Sequence, residues 1–413
     1  MDRDDGALPL TRGQFDIWLS QATGLAGTEW QLGLLGRIDG PIDRDLLQQA
    51  IRQVVVEAEP GRVAIFERDG QVLQKAVDYP DAGFDFYDLV GSRDPVQKVH
   101  EITSAIQRTA LPLAGPLFKF ALLQTAVDEF YMFACCHHIA MDGLGMALIS
   151  RRVAAIYSAL AAGEPVSPSY FGSLQSLLAC ESQYEASRDY VDDGNYWIKN
   201  VPSEGAQEYW FSTQALSRPD PGAPSIAVPL ARSVGGRLRE LSKTLRIRQY
   251  SVITAACALL VRGWSANGSE VCLDFPVSRR VTPESKMLPG MLSGLVPLVV
   301  ETRPQVSIAE FCKHVDARIR EVLQHQRFPV RLLTGEAGTQ GRWQAASNVS
   351  LNFIPSRLTL DFAGIPAEAT YTNLGPVGQL GLYFLGSGDQ LLSAPPVPGG
   401  PLQTLKSRNW LGG

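Results

Sequence analysis

Two spacings of apolar residues alternate along the chain. Apolar positions three to four residues apart predict amphipathic helices, because one face of each helix then turns toward a core. In the first half this spacing covers residues 11–21, 43–56, 96–109 and 144–160. Continuous or alternating apolar runs bounded by turn residues predict strands, here over residues 62–66, 71–76 and 130–136. Asp43 follows a Gly-Pro pair and is the expected N-cap of the second helix.

The second half continues with the same alternation of elements. Helices are predicted over residues 250–264 and 308–326, and strands over residues 270–277 and 348–353. A Pro-, Gly- and Ser-rich stretch at residues 162–168 is a linker signal between the halves. Because alternating strands and helices favour packed α/β layers, we expect two α/β lobes, residues 1–165 and residues 166–413.

Length and composition exclude several classes of protein. A chain of 413 residues is too long for one ordinary hydrophobic core, which agrees with two lobes. Charged residues make up 19% and the net charge is −5, which argues against a nucleic-acid surface. The N-terminus lacks the apolar segment of a signal peptide, and the longest apolar stretch, around residues 253–261, is too short to span a bilayer. We therefore expect a cytoplasmic protein that binds no membrane.

The cysteines show no paired CxxC spacing, and most of them lie in apolar runs. We interpret all six as reduced core residues. Two of them directly precede the His pair described next and are the ones to consider for chemistry. The six are Cys135, Cys136, Cys180, Cys257, Cys272 and Cys312.

The segment HHIAMDG, residues 137–143, lies between a predicted buried strand and a predicted helix. A strand-to-helix loop on a rigid scaffold is a common position for reactive groups. The chain has only five histidines, and two of them are His137 and His138. Because neighbouring side chains on a strand point to opposite faces, we expect one histidine to point into the protein and the other toward a cleft.

Several structural interpretations of this segment remain open from the residues alone. The His pair could bind a metal, although neighbours on opposite faces are poor co-ligands and no third ligand has a suggestive spacing. Asp142 could serve only as the N-cap of the following helix. Gly143 could be an ordinary helix-start glycine, and both histidines could be structural.

HHIAMDG resembles the HHxxxDG motif of nonribosomal peptide synthetase condensation domains, a motif shared with chloramphenicol acetyltransferase-like acyltransferases. Further segments resemble condensation-domain motifs in the same order along the chain. They are residues 10–14 with Trp18, residues 278–280, 289–291 and 296–298, residues 325–327, and residues 352–353 with 375–377. The chain departs from the usual pattern at Arg279, where the family usually has Gly, and at Gly294, where it usually has Asn.

This resemblance implies a fold and a reaction. The fold is an α/β pair of lobes forming a V around a central tunnel, with a bridging loop near residues 280–298 and a crossover segment near residues 350–385. The reaction is amide formation between an acyl or peptidyl thioester donor and the amine of an aminoacyl acceptor. His138 would remove the amine proton or position the amine, and His137 would point inward and hold the loop. Asp142 would pair with Arg280, and Gly143 would permit close approach of the substrate.

The resemblance also implies the partners of the chain. Donor and acceptor would arrive on upstream and downstream carrier proteins, each bringing its own phosphopantetheine, beside a neighbouring adenylation domain. The chain itself, expected to be a monomer, would bind no cofactor, metal or nucleic acid. It ends at Leu411-Gly412-Gly413, where family members usually add a helix, which suggests an excised piece or a shortened domain.

Other functions fit parts of the pattern. An acyltransferase of the same fold that uses free acyl-CoA would carry the same HHxxxDG motif. A non-catalytic docking platform usually has a degraded motif, and a heterocyclising variant usually has aspartates in place of the histidines. An epimerising variant shares the motif. The segments at residues 289–291 and 325–327 favour a starter-type domain with a fatty acyl or aryl donor.

Overall fold

The computed structural model describes most of the chain. The description covers residues 6–22, 30–79, 83–202, 228–229, 231–263, 270–303, 305–334, 349–354, 358–375, 380–385 and 390–394. Four positions or segments used in the sequence analysis lie outside these residues: Trp264, Asn348, residues 376–377 and residues 411–413.

The first half of the chain alternates strands and helices before a run of helices. In chain order the elements are β1 (Leu8–Pro9), α1 (Arg12–Ala22), β2 (Gln31–Asp39), α2 (Arg44–Glu57), a 3-10 helix (Glu59–Arg62), β3 (Val63–Arg68), β4 (Gln71–Ala76), β5 (Phe84–Asp88), α3 (Pro95–Arg108), β6 (Phe118–Ala126), β7 (Glu129–His137), α4 (Gly143–Ala162), α5 (Leu174–Glu185) and α6 (Arg188–Asn200).

The second half begins with helices and ends with strands. Its elements are β8 (Val228–Pro229), α7 (Arg232–Leu245), α8 (Gln249–Arg262), β9 (Glu270–Val277), α9 (Pro283–Lys286), β10 (Gly294–Glu301), α10 (Ile308–Gln324), a second 3-10 helix (Val330–Thr334), β11 (Val349–Ile354), β12 (Leu358–Phe362), β13 (Ile365–Leu374), β14 (Leu380–Leu385) and β15 (Gln390–Ala394).

The helices and strands predicted from apolar spacing are present, with their ends shifted by one or two residues. Asp43 caps α2 as predicted, because its Oδ1 accepts the main-chain N–H groups of Asp45 and Leu46. Several elements had not been predicted, among them β2 and β6. Both are almost continuously buried, and Gly33 and Gly36 interrupt the apolar run of β2.

Two six-stranded mixed sheets form the framework. The first has the order β12-β13-β2-β7-β6-β5 and the second the order β10-β9-β11-β14-β15-β8. A three-stranded sheet, β1-β4-β3, completes the described strands. β12 and β13 follow β11 of the second sheet in sequence, yet β13 pairs antiparallel with β2 of the first sheet. The α/β fold class predicted from the sequence is confirmed.

Helix α4 is buried in the larger of the hydrophobic cores. It packs between α2 and β12 and contributes Met146, Ile149, Val153 and Ile156 to that core. Among the described helices, α4 alone is long and apolar enough to cross a membrane, but 61% of its apolar window is buried inside the protein. The longest apolar segment is therefore this core helix, and the sequence analysis was wrong to place it at residues 253–261.

Five of the six cysteines are buried, and all six are free thiols. Burial raises the pKa of Cys135 to about 12 and that of Cys136 well above its ordinary value. A thiol that stays protonated is a poor nucleophile, so both behave as core residues. Cys180 is only partly buried, which corrects its interpretation as a core residue.

Candidate active site

The segment HHIAMDG begins where the buried strand β7 ends. β7 pairs on one side with β2, which sets Gln31 opposite His137, and on the other side with β6. After the histidines, Ile139, Ala140 and Met141 are completely buried. α4 then begins at Gly143, with Asp142 as its N-cap. The loop is therefore held between a central strand and a core helix.

His137 points into the protein and is fully buried. Its Nδ1 accepts the main-chain N–H of Ile139 at 3.1 Å, and its Nε2 lies 3.0 Å from the Gln21 side-chain amide. Burial, and next the neighbouring His138, lower the pKa of His137 to about 3. A neutral ring that accepts at Nδ1 carries its proton on Nε2. The Gln21 atom facing His137 Nε2 is the amide nitrogen. With this tautomer, a hydrogen bond forms when the Gln21 amide is turned so that Oε1, which has no partner as placed, accepts from Nε2.

His138 is held by its surroundings while its side chain stays partly exposed. Its main-chain N–H donates to the Trp30 carbonyl oxygen at 2.6 Å, and the Trp30 ring meets the imidazole edge-to-face at 6.3 Å. Gly375, with φ +89°, approaches the Cδ2–Nε2 edge so closely that a Cβ there would lie 2.7 Å from Cδ2. Burial lowers the pKa of His138, so the ring is neutral near pH 7.

Asp142 and Arg280 form a buried ion pair. The Arg280 Nη1 lies 2.5 Å from Oδ2 of Asp142, and its Nη2 lies 2.9 Å from Oδ1. The carboxylate also accepts the main-chain N–H groups of Gly145, Leu292 and Ser293 at 2.9–3.2 Å. Burial alone would raise the pKa of Asp142, but Arg280 and these donors outweigh it and hold that pKa below its usual value.

The same ion pair ties the loop to residues 288–293. The Nη2 of Arg280 donates to the carbonyl oxygens of Leu288 and Gly290 at 3.2 and 3.0 Å. The Asp142 N–H donates to the Gly290 carbonyl oxygen at 3.3 Å. A Cβ on Gly145 would lie 2.5 Å from Cγ of Met141 and 3.2 Å from the Gly290 nitrogen, so the first turn of α4 packs tightly here.

Gly143 has open space on its Cα. Among the described residues, a Cβ at this position would meet only the Tyr371 side chain, at 3.7 Å or more. The Tyr371 hydroxyl donates to the Gly143 carbonyl oxygen at 2.6 Å. Tyr371 belongs to β13, and Gly375 directly follows that strand. Both residues therefore bring this part of the chain against the HHIAMDG loop.

The structure brings His137, His138, Asp142, Gly143 and Arg280 together, as the sequence analysis expected. It adds four residues that sequence reasoning missed: Gln21, Trp30, Tyr371 and Gly375. The first three carried no local signal, and Gly375 was noted only as part of a late motif. Within the part of the chain that the structure describes, no group of three or more His, Cys, Asp and Glu side chains could hold a metal ion.

Comparison with known proteins identifies the family. The family model described as "Condensation domain" matches residues 4–355. Two curated relatives are the isonitrile lipopeptide synthase of Streptomyces coeruleorubidus and the dimodular nonribosomal peptide synthase of Bacillus subtilis. The first is 28% identical over 90% of this chain and 25% of its own length, and the second 26% identical over 92% of this chain and 16% of its own length. The chain thus spans a quarter or less of these two relatives.

Solved structures show the same relationship. The starter condensation domain of rhizomide synthetase is similar with a TM-score of 0.74 and 28% identity, over 94% of this chain and 89% of that one. The first condensation domain of the calcium-dependent antibiotic synthetase, in complex with a substrate analogue, gives a TM-score of 0.82 and 25% identity, over 98% and 95%.

The fold and the site define an acyltransferase with the α/β architecture of condensation domains. More narrowly, the chain belongs to the condensation-domain family of nonribosomal peptide synthetases. Both the family and the class of enzyme predicted from the sequence are confirmed.

Proposed function

We propose that this chain joins an acyl group to an aminoacyl group while both are thioesters on the phosphopantetheine arms of carrier proteins. The acceptor amine attacks the donor carbonyl, a C–N bond forms, the C–S bond breaks, and the amine proton leaves with the departing thiol. The observation that carries this proposal is a neutral, partly exposed His138 fixed at the end of β7.

His138 suits the proton-handling step because it is uncharged near pH 7. A neutral imidazole can accept the amine proton or hold the amine by a hydrogen bond, and such a group contributes about 10²–10⁴ in rate. The Nδ1 atom is enclosed, and the main-chain groups of His138 and Met141 interact with the imidazole. The Nε2 edge faces Gly375 and is the side from which we expect the substrate to approach.

The other motif residues position this histidine. His137 anchors the loop from within through Ile139 and Gln21. Asp142 and Arg280 fix the loop against residues 288–293. Gly143 leaves its Cα face open, which supports close approach of the reacting thioester.

The relatives support a particular setting for the reaction. The name of one relative describes a dimodular nonribosomal peptide synthase, which supports carrier proteins and an adenylation domain as partners. We also propose the cytoplasm as the location. Similarity to a starter condensation domain supports a fatty acyl or aryl donor. We also propose that residues 1–165 and 166–413 form two lobes around a tunnel through which both arms reach His138, with the segments near 280–298 and 350–385 linking them.

The experiment compares wild-type protein with His138→Ala in amide formation between loaded carrier proteins. We expect turnover to fall at least about a hundredfold, with an unchanged thermal unfolding midpoint. Near-wild-type turnover would remove His138 from the centre of the reaction.

A second measurement tests dependence on the carrier protein. A variant of the rhizomide starter domain has been crystallised in complex with C8-CoA, so binding of an acyl-CoA alone does not distinguish the candidates. The kcat/KM for an acyl donor on its carrier should exceed that for the same acyl group on CoA. Equal values would favour the acyl-CoA-dependent acyltransferase instead.

A further inference from the structure

Arg279 and Gly294, two of the positions at which the chain departs from the usual condensation-domain pattern, are in contact. Arg279 has φ +55°, a left-handed conformation that glycine adopts more easily. Its guanidinium lies over Gly294, where a Cβ would be 2.5 Å from Cζ, 2.6 Å from Nη2 and 2.8 Å from Nε. A side chain at position 294 would therefore require the Arg279 guanidinium to move from its observed position.

Within the part of the chain that the structure describes, the Arg279 guanidinium makes no hydrogen bond or ion pair. Its Nε is buried without a hydrogen bond, and no carboxylate of the described residues lies within ion-pair distance of it. Burial lowers the pKa of Arg279, although Asp16 and Glu181 are near enough to act in the opposite direction. A half-buried guanidinium without a hydrogen-bonded counter-charge keeps free donors for an anion that can reach it.

The guanidinium borders a cavity of about 50 Å³ between α1, α5 and the loop after β9. The two glutamates in the cavity wall are already engaged by Arg12. Glu185 accepts the Arg12 Nε at 2.7 Å, and Glu181 accepts the Arg12 main-chain N–H at 3.1 Å. Arg327 also lines the cavity, but it donates to the Cys180 carbonyl oxygen at 3.1 Å and stacks on Tyr184 at 4.1 Å.

We infer that this cavity binds a small oxyanion, a phosphate or a carboxylate, through the Arg279 guanidinium. A water-sized site takes up roughly 10–15 Å³, so the cavity has room for about four of them. That is enough for the oxygens of one phosphate or carboxylate group. The guanidinium fork matches phosphate and carboxylate geometry. Two sources carry this chemistry: the phosphodiester of a carrier arm, which rests on the proposed function, and a carboxylate on the substrate itself.

Binding is tested first without any reaction. Inorganic phosphate and acetate are titrated by calorimetry into wild type, Arg279→Gly, Gly294→Ala and Arg303→Gln at constant ionic strength. Arg279→Gly suits the left-handed backbone, so it should fold. Gly294→Ala keeps the charge but displaces the guanidinium. Arg303 is exposed and outside the cavity, so its variant is the matched control.

We expect saturable binding to wild type and to Arg303→Gln. Arg279→Gly and Gly294→Ala should bind about tenfold more weakly or worse, as expected for losing one charge-assisted hydrogen bond. Equal affinity in wild type and Arg279→Gly, or no saturable binding to wild type, would overturn the inference.

Amide formation then identifies the source of the anion. Acceptors are offered on phosphopantetheine or on pantetheine without phosphate, each with a glutamyl or a glutaminyl group. If Arg279→Gly raises KM only for phosphate-bearing acceptors, the arm is the ligand. If Arg279→Gly raises KM only for glutamyl acceptors, the carboxylate of the substrate is the ligand. An unchanged KM for all four acceptors overturns the inference. A wild-type protein that is inactive on all four acceptors overturns the proposed function, and the anion site is then decided by the titration alone.

Discussion

Arg279 and Arg280 are neighbours in sequence, and their guanidinium groups have opposite surroundings. Arg280 donates to both carboxylate oxygens of Asp142 and to two main-chain oxygens. Arg279 rests on Gly294 beside a cavity and, among the described residues, makes no side-chain hydrogen bond. The difference teaches that burial alone does not define the role of a cation. Arg280, which is paired with Asp142, fixes a loop. Arg279, which makes no side-chain hydrogen bond among the described residues and lies beside a cavity, keeps its capacity to bind an anion.

The largest expected effect on stability comes from breaking the ion pair between Asp142 and Arg280. Arg280→Ala should lower the free energy of unfolding by about 3–5 kcal/mol, because the Asp142 carboxylate is then buried without its cation. Asp142→Ala should also destabilise, and the double variant should cost less than the two single changes added together. Urea denaturation of the four proteins measures the coupling, and strict additivity would show that the two side chains act independently.

Two glycines in the first turn of α4, Gly143 and Gly145, distinguish a role in packing from a role in substrate access. Gly145→Ala should destabilise by about 1–3 kcal/mol, because its Cβ would collide with Met141 and crowd Gly290. Gly143→Ala should change stability by less than about 0.5 kcal/mol yet reduce turnover, because only substrate would occupy that space. Thermal unfolding and carrier-protein assays test both, and full activity of Gly143→Ala would remove its proposed role.

A pH-dependent effect on stability is expected from His137. Its pKa falls from 6.5 to about 3 on folding, so the unfolded chain takes up the proton first. This contribution to stability is complete above pH 6.5 and is lost as the pH falls toward 3, by up to about 1.4 kcal/mol per pH unit. Urea titrations at several pH values should show a shallower slope for His137→Gln, whereas the exposed His100→Gln should follow wild type.

The smallest effect on stability is expected from replacing Arg279. Arg279→Gly should change the free energy of unfolding by less than about 1 kcal/mol, because the left-handed backbone favours glycine and no ion pair is lost. Denaturation under the conditions used for Arg280→Ala measures the contrast. A loss as large as that of Arg280→Ala would show that Arg279 is structural, and the comparison would fail.

Local elements and nearby motifs could be predicted from the sequence. Apolar spacing located α2, α4 and β7, and Asp43 marked a helix start through its own side-chain chemistry. The juxtaposition of Asp142 and Arg280, 138 residues apart, was expected only through resemblance to a family. Spacing along the chain carries no information on such a distance.

Contacts made across the fold could not be predicted. Tyr371 lies 228 residues from Gly143, and nothing near either residue indicates the other. Apolar alternation can predict a strand such as β13, but it cannot tell which sheet that strand joins. The departures at Arg279 and Gly294 were visible separately in the sequence, and only the structure shows that the two residues are in contact.

Strands β12 and β13 follow β11 of the second sheet in sequence but join the first sheet, and this has a consequence for the order of folding. β2 pairs with β7 on one side and with β13 on the other. During synthesis, β7 emerges long before β13, and until then β2 is an edge strand with unpaired main-chain groups that can pair with another chain. Over the same interval the His138 loop lacks Tyr371 and Gly375. The reactive loop therefore gains its final geometry only after β9, β10 and β11 of the second sheet have already been made.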